Sequence, residues 1–208
     1  MRPFVKICGI RTQSDLVRIS ALEPHALGFV FWKKSKRFVE PQQVGAWNTP
    51  SSIRRVGVFV NPSSEELQSI AEKARLDVLQ IHGFSIDWTL DRALFPKLEI
   101  WGALTPDEFL DREKRAHGFS FDRFLLDSYD PKTIGGTGKT CDWSRAKEVV
   151  EASKTPVLLA GGLTPENVCE AIQTVRPWGV DVSSGVEIAP GKKDLEKVEA
   201  FIAACSSG

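Results

Sequence analysis

Polar side chains fall toward the carboxyl end of a short apolar segment near the start of the chain. Lys6 and Cys8 alternate there with Val5 and Ile7. Successive strand residues point to opposite sides, so the polar pair shares one face and the apolar pair shares the other. A thiol is useful as a base only if its pKa falls toward neutrality, through nearby positive charge or oriented amides. Cys8 at this strand end is therefore a candidate for proton transfer.

The same alternation recurs in three further segments, again with polar residues toward the carboxyl end. These residues are Gln80 and His82, then Asp127, then Asp181 and Ser183. A carboxyl such as Asp127 can act as an acid only if it stays protonated, which needs partial desolvation or a nearby negative charge. His82 is a candidate base, but a role in positioning substrate or binding water is the favoured interpretation. Together the four segments predict a polar site at one end of a sheet.

Eight strand candidates alternate with segments of helical spacing. The strands are predicted at 4–8, 26–31, 55–60, 78–82, 98–103, 123–127, 156–160 and 179–183, with helix-start signals at 12–15, 61–65 and 164–166 and a last helix from Asp194 to about Ala204. Strands that alternate with helices predict parallel pairing. Eight units of about 26 residues favour an α/β protein with one (β/α)8 barrel domain over residues 1–208. A doubly wound open sheet is the structural alternative.

Two glycine-containing turns follow the seventh and eighth predicted strands. They contain Gly161-Gly162 and Ser183-Ser184-Gly185. Glycine lets the backbone approach a ligand closely, and the loops after these two strands are the usual phosphate site of a β/α barrel. A single Gly-Gly turn is equally consistent with a plain turn. The two turns together predict a site for a phosphorylated small molecule.

Another glycine-rich stretch, residues 135–140, has the sequence GGTGKT and resembles a nucleotide-binding P-loop. That motif needs a glycine five places before the Gly-Lys pair, and Thr133 stands there. The pattern therefore fails. A mobile flap over the mouth of the barrel is the preferred interpretation.

Composition excludes several classes of protein. Lys plus Arg and Asp plus Glu both total 27, so the net charge of zero gives no indication of nucleic-acid or membrane-surface binding. No apolar run is long enough to span a membrane, and the start lacks the features of a signal peptide. The four cysteines form no CxxC pair. We therefore expect a cytoplasmic protein with free thiols and no metal site.

Several segments resemble one family in order along the chain. They are 5–10 (VKICGI), 28–31 (GFVF) with 34–37 (KSKR), 56–60 (VGVFV), 79–83 (LQIHG), 125–127 (LLD), 135–140 (GGTGKT) and 181–187 (DVSSGVE). The chain resembles phosphoribosylanthranilate isomerase from about residue 4 to about residue 194. The departures are small: Ala160 stands where serine is expected, and Ser128 where threonine is expected.

The resemblance implies a reaction and roles for particular residues. The reaction is an Amadori rearrangement of N-(5′-phosphoribosyl)anthranilate to 1-(o-carboxyphenylamino)-1-deoxyribulose 5-phosphate in tryptophan biosynthesis, without a metal or organic cofactor. Cys8 would be the base, Asp127 the acid, and Arg37 would hold the anthranilate carboxylate. The phosphate and ribose region would comprise Gln80, His82, Gly161, Gly162, Asp181, Ser183, Ser184 and Gly185. The oligomeric state, monomer or homodimer, stays open.

Simpler interpretations stand beside these roles. Lys6 and Asp181 are expected to form a structural ion pair inside the barrel. Arg37 lies in a basic run, and most such runs are solvated charge. Trp32 and Trp101 lie at predicted strand ends and could contact an aromatic ring of a substrate.

Two alternative functions differ in chemistry. Another phosphate-handling barrel, such as the isomerase of histidine biosynthesis, would rely on paired aspartates, whereas the first strand here ends in Cys8. A non-catalytic phosphate-binding barrel would need neither Cys8 nor Asp127.

Overall fold

The computed structural model describes residues 2–84, 90–114, 121–127 and 141–206. Within these residues eight parallel strands close into a barrel in chain order. The strands are β1 Phe4–Cys8, β2 Ala26–Val30, β3 Arg54–Val60, β4 Val78–His82, β5 Glu99–Leu104, β6 Arg123–Leu126, β7 Val157–Leu159 and β8 Gly179–Val182. β8 pairs with β1 and closes the ring. The predicted β/α barrel is confirmed, and the open sheet is wrong.

Helices follow the strands and cover the outside of the barrel. They are α1 Gln13–Ser20, α2 Pro41–Ala46, α3 Ser64–Ala74, α4 Pro106–Lys114, α5 Trp143–Ala152, α6 Val168–Val175 and α7 Leu195–Cys205. Short 3₁₀ turns occupy Arg92–Leu94 and Ser184–Val186, and a two-stranded ribbon, β9 Glu187–Ala189 and β10 Lys192–Lys193, follows β8. None of the helices seen in the described part of the chain has the length and apolar character of a membrane span.

Hydrogen bonds from side chains to backbone groups explain where the predicted helices begin and why some begin later than predicted. Thr12 accepts a hydrogen bond from a backbone N–H in the first turn of α1, as the signal at 12–15 predicted. In the signal at 61–65 the residue that caps the helix is Ser63, so α3 begins at Ser64 and not at Pro62, where a small polar residue followed by proline favours a start. The signal at 164–166 is displaced, because α6 begins at Val168. Asn167 explains the displacement: its Oδ1 accepts from the Thr164 N–H at 2.8 Å and its Nδ2 donates to the Gly162 carbonyl at 3.0 Å. These bonds hold residues 164–167 as a turn.

Strand parity separates two packing layers. Val5, Ile7, Leu79 and Ile81 belong to the layer between barrel and helices, whereas Lys6 and Gln80 are buried in the interior. The alternation predicted from sequence is therefore confirmed.

Trp101 lies at the wrong end of the barrel to contact a ligand at the mouth. Its fully buried ring packs edge-on against Phe4, the first residue of β1, at a centroid distance of 5.9 Å. Its indole N–H donates to Glu99 at 2.9 Å. Trp101 therefore fills the N-terminal end of the interior, and the expected contact with a substrate ring is wrong for this residue.

Arg55, a buried charge at the start of β3, ties two helix ends to the barrel. Its guanidinium donates to the carbonyls of Val44 and Trp47 at the end of α2, and to the Ala74 carbonyl at the end of α3. The last carbonyls of a helix have no partner within the helix and carry partial negative charge. One cation therefore donates to three carbonyls where the two helices meet, of which that of Val44 also accepts from the Trp47 N–H.

We predict that Arg55→Met lowers the free energy of unfolding by about 3 kcal/mol or more, because buried carbonyls lose their donors. The neighbouring Arg54→Met is the matched control. Arg54 is part-exposed and pairs with Glu99, so its loss should cost no more than about 1 kcal/mol. Urea unfolding of both variants tests this, and equal losses would contradict the role of Arg55.

Candidate active site

A cavity opens at the carboxyl ends of the strands and gathers most of the predicted site residues. Its lining residues are Cys8, Val30, Trp32, Ser35, Arg37, Val58, Val60, Gln80, His82, Asp127, Asp181, Ser183 and Ser184. The predicted residues among them come from the ends of β1, β4, β6 and β8 and from the loop after β2. Trp32 is at this mouth, as expected. Among the residues that the structure describes, no three His, Cys, Asp or Glu side chains are grouped to hold a metal ion.

A buried ion pair joins the two strands that close the barrel. Lys6 on β1 lies opposite Asp181 on β8, and its ammonium is 2.7 Å from the Asp181 carboxylate. The Lys6 side chain is fully buried. Burial is the largest single effect and opposes its charge, but Asp181 and Cys8 together outweigh burial and raise the pKa of Lys6 above its ordinary value. The predicted ion pair is confirmed.

Cys8 lies beside this pair and faces Gly28 on β2. A Cβ atom at Gly28 would be 2.7 Å from the Cys8 sulfur and 3.1 Å from the Lys6 ammonium, so only glycine leaves both groups their space. Burial raises the pKa of Cys8, while the Lys6 ammonium counteracts the rise. The net direction is opposite to the lowered pKa that the sequence analysis required of a base. The charge of Lys6 is therefore the main effect that favours the thiolate.

His82 and Gln80 form a neutral pair on the wall formed by β4. The Gln80 amide nitrogen is 2.8 Å from His82 Nε2. Burial and the nearby Lys6 lower the pKa of His82 to about 4, so the ring is neutral at pH 7 and its Nε2 accepts the hydrogen bond. Within the described residues, Gln80 Oε1 is buried without a hydrogen-bond partner. This pair can position a polar ligand, in line with the favoured interpretation of His82.

Arg37 reaches the cavity through a second buried charge network. Its Nε and Nη2 donate to the two carboxylate oxygens of Glu187 at 2.8 and 2.7 Å. Lys193 donates to Glu187 at 3.0 Å and to the Ser183 carbonyl at 3.0 Å. Glu187 therefore occupies one edge of the guanidinium, and only the edge formed by Nη1 and Nη2 remains to face a ligand. Arg37 is thus not part of a solvated charge run.

Glu187 and Lys193 are the polar residues of this region that sequence reasoning did not assign to the site. Both belong to the ribbon of β9 and β10, which no pattern predicted. Glu187 ends the segment 181–187 that carries the family resemblance, but that resemblance assigned it no role, and Lys193 had no signal beyond its place in a short segment between the last strand and the last helix. Their burial follows from the fold and cannot be read from that spacing.

The second glycine turn lines the cavity through Ser183 and Ser184, whereas Gly161, Gly162 and Gly185 are not among the lining residues. Gly161 and Gly162 have positive φ values of 81° and 67°, which explains why glycine occupies both positions. A Cβ atom at Gly185 would lie 1.9 Å from the Leu163 carbonyl oxygen. The turns after β7 and β8 are therefore in direct backbone contact. Residues 128–140, which include Ser128 and the glycine-rich stretch 135–140, lie outside the described residues.

Nearly the whole chain matches one known protein family. The model of the family described as N-(5'phosphoribosyl)anthranilate (PRA) isomerase matches residues 5–204. The chain belongs to the N-(5'-phosphoribosyl)anthranilate isomerase family. A relative from Caldanaerobacter subterraneus named N-(5'-phosphoribosyl)anthranilate isomerase is 43% identical, and the alignment covers 95% of each chain.

Solved structures of this isomerase family share the barrel. The phosphoribosylanthranilate isomerase from Thermotoga maritima superposes with a TM-score of 0.84 at 36% identity, covering 98% of each chain. Another phosphoribosylanthranilate isomerase was solved in complex with reduced 1-(o-carboxyphenylamino)-1-deoxyribulose 5-phosphate. It superposes with a TM-score of 0.81 at 33% identity, again covering 98% of each chain.

We predict that His82 makes the fold sensitive to mild acid. Its folded pKa of about 4 lies below the ordinary 6.5, so the unfolded chain binds the additional proton and stability falls as pH drops from 6.5 toward 4. The contribution is roughly 3 kcal/mol over that window. Urea unfolding at pH 7 and pH 4.5 should show a smaller difference for His82→Gln than for the native chain. An equal difference would contradict the part-buried, neutral state of His82.

Proposed function

We propose that this chain converts N-(5′-phosphoribosyl)anthranilate to 1-(o-carboxyphenylamino)-1-deoxyribulose 5-phosphate, with Cys8 as the base and Asp127 as the acid. The observation that carries the assignment is the shared cavity: Cys8 ends β1, Asp127 follows β6, and both line the same space. Strands β1 and β6 are separated by β7 and β8 around the closed ring, so the two groups approach a ligand from different sides.

The reaction needs an acid at one atom of the sugar and a base at another. Protonation of the furanose ring oxygen by Asp127 lets the C1′–O bond break, which gives an open-chain, protonated Schiff base. Cys8 then removes the proton from C2′, the electrons of that bond form the C1′=C2′ double bond, and the C1′=N electrons return to nitrogen to give an enolamine. Tautomerisation to the ketone moves the proton of the C2′ hydroxyl away and adds a proton at C1′. The ring opening and the C2′ deprotonation each move one proton between the substrate and one side chain.

The two ends of the substrate carry negative charges that need separate partners. We infer that the free edge of Arg37 holds the anthranilate carboxylate, because a planar guanidinium can bind a carboxylate through two parallel hydrogen bonds. We infer that the phosphate binds at the turns around Gly161-Gly162 and Ser184-Gly185. Positive φ at the first pair and the close approach of Gly185 to the Leu163 carbonyl support this inference, because they bring the backbones of the two loops together.

We predict that Cys8→Ser and Asp127→Asn each lower kcat by about 100-fold or more, since each removes one proton-transfer group. The substrate is generated in situ from anthranilate, and the loss of its fluorescence is followed. Cys169→Ser is the control, because Cys169 lies on α6 outside the cavity.

The outcomes separate the reaction from the assignment. If the native chain and both variants turn over the substrate at similar rates, the proposed reaction is supported and the roles of Cys8 and Asp127 are contradicted. A folded native chain without turnover would contradict the proposed function itself.

We predict that Arg37→Lys raises KM by about 10-fold or more and changes kcat by less than about threefold. Lysine keeps the positive charge but cannot form two parallel hydrogen bonds to a carboxylate. Substrate binding is therefore weakened more than the rate of proton transfer. Lys36→Met, an exposed change in the same basic loop, is the control and should leave both constants unchanged. An unchanged KM in Arg37→Lys would contradict the assignment.

A further inference from the structure

We propose that Lys6 is a positioning residue for the reaction, whose ammonium, anchored by Asp181, stabilises the thiolate of Cys8. The inference deepens the proposed function and rests on it for the role of Cys8 as the base. It assigns to the ion pair of β1 and β8 a task beyond closing the barrel. That task is to set the charge state of the neighbouring sulfur.

The geometry brings the two groups together in one small space. Lys6 and Cys8 are two residues apart on the inner face of β1, and Gly28 lies opposite Cys8 on β2. A point at the missing Cβ of Gly28 is 2.7 Å from the sulfur and 3.1 Å from the ammonium nitrogen. The two atoms therefore cannot be farther apart than the sum of these distances. Unlike charges at such separations shift each other's pKa by about one to three units.

Asp181 keeps the Lys6 charge in place. A buried amine without a partner loses its proton readily, because burial disfavours the charged form. The carboxylate at 2.7 Å offsets that effect and fixes one of the three ammonium protons. The Lys6 charge also lowers the pKa of the Cys8 thiol. The ammonium is thus held by a fixed carboxylate and lies near the sulfur.

Other charged groups around Cys8 act in both directions. Asp181 opposes the thiolate, whereas Lys193 on β10 favours it. Arg37 approaches from the loop after β2 and pairs with Glu187, and Asp127 lines the same cavity. His82 on β4 is neutral at pH 7, with a pKa of about 4. Of the two members of the ion pair, Lys6 has the larger influence on Cys8, so the pair as a whole favours the thiolate.

Stability alone gives no reason for a full charge at this depth. Burying an ion pair costs about as much free energy as the attraction returns, and apolar residues of similar volume are often as good. Elsewhere the interior uses apolar side chains such as Val56, Leu125 and Leu158. The Lys6 ammonium lies instead beside Cys8, the cysteine on the inner face of β1. Stabilisation of the Cys8 thiolate explains why a charged residue occupies this position.

The experiment measures the reactivity of Cys8 without substrate. Iodoacetamide alkylates thiolates, and mass spectrometry of peptides resolves each cysteine. The rate at Cys8 is recorded from pH 7 to pH 10.5 and compared with the rate at Cys169, which lies on α6 and serves as an internal reference. The variants are Lys6→Met and the double variant Lys6→Met/Asp181→Asn, which removes both charges and keeps the side-chain volumes, so that a folded sample is available. Circular dichroism verifies the fold.

We expect the midpoint of the Cys8 profile to rise by at least about one pH unit in the double variant. Lys6→Arg, which keeps the charge, should lie nearer the native value. Lys192→Met is the matched control, because it removes an exposed lysine next to Lys193 and should leave the midpoint unchanged. A folded double variant whose Cys8 midpoint equals the native value would overturn the proposal. A change in the limiting alkylation rate at high pH, without a change in the midpoint, would also overturn it, because altered packing around Cys8 can change that rate.

The failure of this proposal can be told apart from a failure of the proposed function. The alkylation profile does not depend on turnover, so it reports on Lys6 even if the native chain fails to isomerise the substrate. If turnover is present, the rising limb of kcat/KM against pH should move upward in Lys6→Met together with the alkylation midpoint. A rising limb that stays in place in the variant would overturn the proposal and leave the isomerisation intact.

Discussion

The parallel pairing of β8 with β1 is the constraint on which the site depends. It closes the barrel, and its register sets Lys6 opposite Asp181. An ammonium in a closed interior requires a carboxylate within reach, and only that register supplies one at 2.7 Å. The same register brings the turn after β8 beside the end of β1, where Ser183 donates to the Cys8 carbonyl. One pairing therefore brings together the interior ion pair, the Cys8 thiol and the turn after β8.

The sequence predicted features that depend on local rules. Period-two alternation identified which residues of β1, β4, β6 and β8 face inward, because the direction of a strand side chain depends only on its position in the strand. The count of eight strands fixed closure, and closure brought Cys8 and Asp127 to one mouth. Strand ends differed from the prediction by a residue or so, as expected where pairing and not composition ends a strand.

The features that escaped prediction depend on contacts distant in sequence. Glu187 meets Arg37 across 150 residues, and no spacing rule connects the two. The start of α6 moved to Val168 because Asn167 bonds to both sides of its own turn. The position of Trp101 depends on Phe4 below it. In each case a specific partner outweighed a local preference, and such partners are visible only after the chain is folded.

Burial strengthens the interactions between charges in the cavity, but it also disfavours the charged form of the Cys8 thiol. Taking Cys8 out of water raises the pKa of the thiol, so a thiolate at this position needs compensating positive charge. Three cations, Lys6, Arg37 and Lys193, surround the region, and two carboxylates, Asp181 and Glu187, fix their positions. These five groups leave one positive charge in excess. That excess favours an anionic thiolate and an anionic substrate alike, since both are stabilised by the same field in a medium of low polarity. The carboxylates therefore hold the cations in place without neutralising them fully, and this incomplete neutralisation is what a site for an anionic substrate and an anionic base requires.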